Sequence, residues 1–420
     1  MKTTIKKLAS FLLTACFLLS VTTVFAENEK DYFTVRGVVK DKASKRIIEF
    51  ANISIPGTNI GTVTNASGEF AVKVKKSFNA KNLEVSHLGY ALYSMPITGE
   101  DMRNITILLT AKASELDQIT VLGLNPRELV EEAVRRIERN YTSEPTLLTG
   151  FYRETIKKRR SYINVAEAIV EVYKTPYGTG IDRDAVQVYK GRKLISPKVD
   201  DTLMIKLLGG PTLASYIDVV KNPDVILSQN TLGYYKFTME QPVVIDDRQH
   251  YVVSFAPQVD LPYALHYGKL YIDRDRLAFS RIELSLSMDD KNKATSAILK
   301  KKPFGLRFKP EEVSFMVNYK FRDGKSHMNY VRSEVKFKCD WKRKLFSTNY
   351  TIVAETVITG GKGEKVGRIP NKLVFSDNVS LSDKVDSFFD KNFWEDYNII
   401  EPDESLESAV NKLKKNHDNN

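Results

Sequence analysis

The chain of 420 residues is poor in cysteine, with only Cys16 and Cys339, and has two tryptophans. Cys16 sits in an apolar N-terminal stretch, so one thiol remains in the body of the protein. A single thiol makes no internal disulfide, and stability must come from packed cores. Beyond residue 26 no run approaches the ~20 apolar residues of a membrane-spanning helix. No long block of one charge sign exists either. Lys and Arg number 63 against 52 Asp and Glu, but the excess is dispersed: the basic stretch 157–160 is soon followed by Asp182, Asp184, Asp200 and Asp201. An exported chain without a basic stripe is not expected to take a nucleic-acid partner. Motifs of chemistry are missing as well. There is no G-x-S-x-G, no GxxxxGK[ST] phosphate loop, no EF-hand loop, and none of the five histidines has a glutamate three residues on.

What is present begins with an export signal. Lys2, Lys6 and Lys7 precede an apolar run over 8–21, and Val24-Phe25-Ala26 places a small residue before polar Glu27-Asn28-Glu29. Cleavage is expected after Ala26. Leu13-Thr14-Ala15-Cys16 resembles a lipobox, yet the apolar run continues through Phe17-Leu18-Leu19, where a lipidated cysteine is normally followed by a polar tether. Lipidation at Cys16 is therefore the second reading. A periplasmic or outer-membrane-associated location is expected.

Residues 31–123 read as a sandwich of six or seven short strands. Ala51, Ile53 and Ile55 alternate with Asn52 and Ser54, and Phe70, Val72 and Val74 alternate with Ala71, Lys73 and Lys75. Asn65-Ala66-Ser67-Gly68 is a hairpin signal. Leu83, Val85, Ile105, Ile107, Leu109, Ile119 and Val121 supply further inward positions. Turns recur every ~8–12 residues, the spacing of an antiparallel sandwich.

These residues also resemble a family. Gly37-Val38-Val39, Ala51-Asn52-Ile53, Gly57-Thr58, Gly61-Thr62, Thr64-Asn65, Gly68 and Phe70, followed by Ser86-His87-Leu88-Gly89-Tyr90, are similar to the carboxypeptidase-regulatory-like domain. The resemblance implies a transthyretin-like seven-stranded sandwich of the kind found at the N-termini of Gram-negative envelope proteins. The peptidase activity in the family's name resides in a separate zinc domain, and no His-x-x-Glu pair exists here to carry it over.

A linking helix is expected over 124–142. Asn125 is placed to cap it, Pro126 to start it, Glu128 to complete a capping box, and Val130, Ala133, Val134 and Ile137 to form its apolar face. Residues 150–380 read as a larger antiparallel β domain with a helical insertion over 202–220. Val331, Ser333, Val335, Phe337 and Cys339 point one way and Arg332, Glu334, Lys336 and Lys338 the other, as in a sheet with one face in water. The glycine segment 360–365 is expected to be a loop. Residues 381–420 are expected to hold helices over 383–397 and 402–415 and a disordered tail from 416. The helix with "GFYRE", and "GKLYIDRDRLAFSRIELSL", resemble the region after the sandwich in large envelope proteins. The strand series resembles the half-barrel of periplasmic lipoprotein carriers.

The remaining candidates for chemistry have bland readings that weigh more. His266, between Leu265 and Tyr267, reads as an ordinary strand histidine before it reads as a ligand. Asp273/Asp275, Asp246-Asp247, Asp289-Asp290 and Asp200-Asp201 have spacings that suit calcium, but aspartate is a common turn former. The aromatics Tyr234, Tyr235, Phe237, Tyr251, Phe255, Tyr263, Tyr267 and Tyr271 could line an acyl or sugar site, yet they suit cross-strand core pairs better. No catalytic, cofactor or metal residue is singled out. The expectation is a mainly β, non-catalytic envelope protein that binds or scaffolds a protein, glycan or lipid partner. The alternatives are a hydrolase with a dispersed site and a small outer-membrane barrel. The barrel is disfavoured by short, charge-interrupted apolar rows and the non-aromatic end His417-Asp418-Asn419-Asn420.

Overall fold

The computed structural model describes residues 30–114, 123–198, 206–207, 210–341, 347–362, 366–376, 379–387 and 393–418. The export signal, Cys16, the positions Ile119 and Val121, the Asp200-Asp201 pair and residues 363–365 of the glycine segment lie outside the described residues; Gly360, Gly361 and Lys362 are strand instead of the expected loop, paired in register with Thr149, Leu148 and Leu147.

Alternation of β-branched and polar residues produces seven strands first: β1 (Tyr32–Asp41), β2 (Asn52–Ser54), β3 (Gly61–Val63), β4 (Glu69–Lys75), β5 (Asn82–Ser86), β6 (Tyr93–Pro96) and β7 (Met102–Leu109). They form two sheets, β4-β1-β7 and β3-β2-β5-β6. Phe33, Val35, Val39, Ile53, Val72, Val74, Leu83, Val85, Ile107 and Leu109 fill the space between them. One pair departs from the antiparallel expectation: β1 and β7 run parallel, with a register shift between Val35 and Gly37. Gly37 is needed there, because a Cβ would overlap the carbonyl of Ile105. The turn at Asn65 forms as read. Asn65 Oδ1 accepts from the N–H groups of Ser67 and Glu69, both at 2.9 Å, and Gly68 has φ +73°. It is a crossover between sheets instead of a hairpin, since β3 pairs with β2 and β4 with β1.

The linking helix divides into α1 (Pro126–Arg135) and α2 (Ile137–Asn140). Asn125 Oδ1 accepts from Arg127 N and Glu128 N, and its Nδ2 donates to Glu128 Oε1 at 2.8 Å. Val130, Ala133 and Ile137 are buried against the second domain.

That domain contains β8 (Thr146–Lys158), β9 (Ser161–Lys174), β10 (Ala185–Ile195), β11 (Lys206–Leu207), α3 (Leu213–Tyr216), α4 (Gln229–Leu232), β12 (Tyr235–Met239), β13 (Val243–Ile245), β14 (Arg248–Pro257), β15 (His266–Asp273), β16 (Phe279–Leu286), α5 (Lys291–Ile298), β17 (Leu299–Lys301), β18 (Leu306–Arg322), β19 (Lys325–Trp341), β20 (Thr348–Lys362), β21 (Asp386–Ser387) and α6 (Glu404–Asp418). The large sheet runs β12-β14-β15-β16-β18-β19-β20-β8-β9-β10-β21, with β13 on β14. Its ladders are antiparallel except β10 with β21. It is open: no closed barrel forms among the described residues.

Sequence chemistry explains its hairpins. Asp323-Gly324, at φ 51° and 78°, joins the 17-residue strands β18 and β19, and Asp246-Asp247, at φ 50° and 59°, joins β13 to β14. One sheet face is covered by α1, α2 and residues 213–232, over Tyr152, Ala168, Val172, Leu270, Ile282 and Val317. Farther along, α5 covers Phe308, Val335, Phe337 and Cys339. The opposite face carries the sandwich and residues 393–401. Arg332 and Glu334, expected in water, therefore line a cleft beneath the sandwich.

The expected helix over 383–397 is not formed in its described part. That stretch contributes β21 and a turn that lays Phe393 and Trp394 over Phe151, ring to ring at 5.5 Å for Phe151–Trp394. The apolar residues there serve the sheet face and not a helical stripe. α6 forms and extends to Asp418, past the point where order was expected to end; Leu406, Val410 and Leu413 pack on Val165 and Leu194. In its described part the insertion over 202–220 holds the short strand β11, paired with β17, and a single helical turn, α3, instead of a helix along its length.

At Gly268 on β15 a Cβ would overlap the backbone carbonyl of Glu283 on β16. Gly268→Ala should destabilise the domain by about 2 kcal/mol or more; a lowered urea midpoint in circular dichroism checks this, with Gly233→Ala, which meets nothing within 4 Å, as the control.

Candidate functional site

Three constellations of polar side chains stand out, and each is assembled from residues distant in sequence. The first is sealed inside the large domain. Lys174, at the end of β9, donates to Asp218 Oδ2 at 2.7 Å, and Tyr177 and Tyr319 donate to the same carboxylate at 3.0 and 2.6 Å. Lys221 donates to Thr175 O at 2.8 Å and lies 3.8 Å from Asp184, while Asp184 accepts from Thr175 N at 2.9 Å. Lys174, Asp218 and Lys221 are all buried. Burial opposes the charge on Lys174, but Asp218 and Asp184 outweigh it and hold its pKa above the ordinary lysine value. Burial wins at Lys221, pushing it down to about 8. It pushes Tyr177 and Tyr319 well up. Two cations and two anions neutralise each other with no mouth to solvent, which is the form of a structural network.

The second constellation lies where sandwich, sheet and C-terminal segment meet. On β8, Arg153 donates to Glu167 Oε1 on β9 at 2.8 Å and to the Ile400 carbonyl at 2.7 Å. Arg192 on β10 donates to Glu167 Oε2 at 2.9 and 2.8 Å and stacks 4.8 Å from the Trp394 ring. Burial raises the pKa of Glu167, but the two arginines outweigh it and hold it below the usual carboxylate value. Beside this triad is a cleft of about 180 Å³ between Phe50, Asn65, Arg332, Glu355 and Glu401. Several of its charges are engaged. Glu355 Oε1 accepts from Tyr330 OH at 2.6 Å and Arg332 at 2.8 Å, and Arg332 also reaches Glu334 at 3.0 Å. Burial raises the pKa of Glu401 despite Arg36, 3.2 Å away.

The third is a serine–histidine pair that nothing local in the sequence announces. His250 Nε2 is 2.8 Å from Ser280 Oγ, and its Nδ1 is 2.8 Å from the Arg248 carbonyl. Donation by Nδ1 to that carbonyl leaves Nε2 to accept from the serine, the tautomer a general base needs. Burial holds the imidazole below its ordinary pKa. The adjoining hollow is only about 50 Å³, small for any substrate of drug size.

The individual candidates fall into ordinary roles. His266 lies opposite Leu286, its ring 6.4 Å from Phe315. Asp273 is fully buried; burial raises its pKa, but hydrogen bonds from Arg248 and Arg276 outweigh this and hold it well below the usual carboxylate range. Asp246 and Asp247 form the β13–β14 turn, and Asp290 caps α5 through Asn292 N and Lys293 N. Among the described residues no group of three or more His, Cys, Asp or Glu converges on a metal position. Tyr235 and Phe237 pack on Phe255 as cross-strand core pairs, while Tyr263 and Tyr267 face solvent. Cys339 is buried, which pushes its thiol up to about 11.

With that geometry in hand, comparison with known proteins locates one relationship firmly. Residues 35–121 match the family model of the CarboxypepD_reg-like domain. Ninety residues are 30% identical to the TonB-dependent receptor SusC of Bacteroides thetaiotaomicron, covering 21% of this chain and 8% of that protein. The chain thus spans a small part of the curated relative it matches. Among solved structures it is similar to a DUF1329 family protein from Desulfovibrio piger (TM-score 0.24, 10% identity, 56% of this chain and 94% of that one). It is also similar to a LolA superfamily protein from Nitrosomonas europaea (TM-score 0.22, 11% identity, 61% and 100%). The CarboxypepD_reg-like domain and its SusC counterpart fit a cell-envelope location, and no described helix is long and apolar enough to cross a membrane. The domain's Ser86-His87-Leu88-Gly89-Tyr90 stretch contacts the large sheet, Gly89 N donating to the Val244 carbonyl at 2.8 Å.

Removing one member of the sealed network should be costly. Lys174→Met leaves Asp218 and Asp184 short of a cation and should lose about 3–5 kcal/mol, read as a lower urea midpoint, whereas Lys336→Met on the surface should change it by less than about 1 kcal/mol. Acid should act through three histidines. Burial pushes His87, His266 and His327 down to about 4, against about 6.5 when unfolded. Their neutral forms favour the fold above the unfolded pKa. Stability should therefore fall as pH drops from about 6.5 towards 4, by up to about 1.4 kcal/mol per unit and per histidine; urea midpoints at pH about 7 and about 5 measure it.

Proposed function

We propose that this is a non-catalytic protein of the cell envelope, a binding or scaffolding module on the periplasmic side of the outer membrane for a protein, glycan or lipid partner. The observation that carries the reading is the way the CarboxypepD_reg-like domain is fixed to the large sheet. Residues 393–401 run between them: Thr62 Oγ1 donates to Ile399 O at 2.8 Å, and Asn398 pairs with both the N–H and the carbonyl of Lys73, at 2.6 and 2.9 Å. Val63, Phe151, Ile169, Tyr330, Trp394 and Ile400 share one apolar cluster across the junction. Such a joint presents two β surfaces in fixed relation, which suits a platform. Supporting it further, Arg153, Glu167 and Arg192, and Arg332, Glu334 and Glu355, are held by one another at the junction.

Affinity capture from native envelopes, with identification of co-purified protein, glycan and lipid, tests this. The expected result is enrichment of at least one envelope component that is lost when Trp394→Ala opens the joint. Recovery of none of the three classes would overturn the reading.

Hydrolysis is the second reading, and the Ser280–His250 hydrogen bond is the observation in its favour. Ser280→Ala should leave turnover of chromogenic esters and labelling by a fluorophosphonate at the background of the intact protein. Activity that the substitution abolishes would favour the hydrolase.

A further inference from the structure

We propose that the turn leading from β17 into β18, at one end of the large sheet, is a docking tip for an anionic phospholipid bilayer, with Phe304 entering the headgroup layer. This rests on the envelope reading above and names lipid as the partner of this end.

The turn has the form of a presented residue. Leu306 N donates to Pro303 O at 3.4 Å, and Gly305 takes φ +83°, so Phe304 occupies the corner of a type II turn. Lys302 Nζ donates to the Leu306 carbonyl at 2.8 Å and braces it. Phe304 is 98% exposed, the highest value of any large apolar side chain described. The exposure is not for want of a core nearby: Phe308, four residues on, packs on Phe337 at 5.0 Å, and Phe337 stacks on Tyr350 at 5.4 Å. The chain buries one phenylalanine and holds the other out.

Charge supplies the occupant. From 291 to 310 the sequence holds seven Lys and Arg and no Asp or Glu. Lys293 and Lys309 pair with Asp260 and Asp340. Lys300, Lys301 and Arg307 are exposed near the turn in sequence. The β8–β9 turn, with Arg159 and Arg160 exposed, lies at the same end of the sheet. Lys158 is level with Tyr350, Tyr350 with Phe337 and Phe337 with Pro310. That places it three strands and about four residues away, about 20 Å. The opposite end of the same hairpins turns at Asp323-Gly324 and Asp246-Asp247 instead. An exposed aromatic ring on a turn where Lys300, Lys301 and Arg307 outnumber the one acid across from Arg307, Asp340, matches the apolar–headgroup boundary of an anionic leaflet. A protein groove would ask for a concave counterpart and specific acids; a bilayer asks only for this combination.

Flotation of the purified protein with phosphatidylglycerol–phosphatidylethanolamine vesicles, against phosphatidylcholine vesicles, tests the proposal. Binding should require phosphatidylglycerol and weaken with salt. Phe304→Ala should weaken it about tenfold, and Lys301→Glu with Arg160→Glu about tenfold or more, with unchanged thermal unfolding. Phe304→Trp should shift its emission to the blue with phosphatidylglycerol vesicles only. Equal binding to both vesicles, no binding at all, or Phe304→Ala binding like the intact protein would overturn the bilayer assignment; the last, with retention on dextran sulfate, would make the tip a polyanion site. Envelope capture that survives Phe304→Ala would leave the platform reading standing while the docking fails. Vesicle binding with an empty envelope capture would do the reverse.

Discussion

The guanidinium of Arg153 holds this molecule together at the joint between its two domains. It lies buried between the Glu167 carboxylate and the Ile400 carbonyl, so it links two strands of the large sheet to a segment nearly 250 residues later. A buried charge of this kind is stable only while each partner stays in place. Glu167 is in turn shared with Arg192, whose guanidinium lies over Trp394. The stacked arrangement fixes residues 393–401 on the sheet, and that segment fixes the sandwich through Thr62 and Lys73. The interdomain geometry thus follows from a chain of desolvated contacts.

The same accounting shapes what the protein can do. Many of its buried ionisable groups pair within two networks, one on each face of the sheet, and Asp273 pairs separately with Arg248 and Arg276. Chemistry on a substrate requires groups left partly unsatisfied and facing a cavity. The Ser280–His250 pair has the hydrogen bond but borders a hollow of about 50 Å³. The exposed surface, by contrast, holds large apolar side chains, of which Phe304 is the most exposed among the described residues.

Much of the architecture was legible because it rests on local rules. The period-two alternation of Phe70, Val72 and Val74 and of Val331 through Cys339 named the inward faces, and Asn125-Pro126 with Glu128 named the helix start. What failed did so where tertiary contacts decide. The apolar residues Phe393 and Trp394 look like part of a helical stripe, but Phe151 and Arg192 recruit them to the sheet. Asn65 to Gly68 specify a turn and say nothing of which sheet receives the next strand. Arg332 and Glu334 looked water-facing because polarity alone does not reveal a second domain overhead. The charged networks were illegible for a simpler reason: Lys174, Asp184, Asp218 and Tyr319 become neighbours only once the sheet exists, and no spacing encodes that.

The place of β8 in the sheet has a consequence for assembly. It is the first strand of its domain, yet its neighbour on one side is β20, about 200 residues later. A chain emerging from its N-terminus can close the β8–β9 hairpin early, but the free edge of β8 stays open until nearly the whole domain has arrived. Such an edge is a template for pairing with other molecules. During biogenesis the vulnerable interval therefore ends with the delivery of β20, and truncations upstream of it yield a sticky half-sheet instead of a smaller working domain.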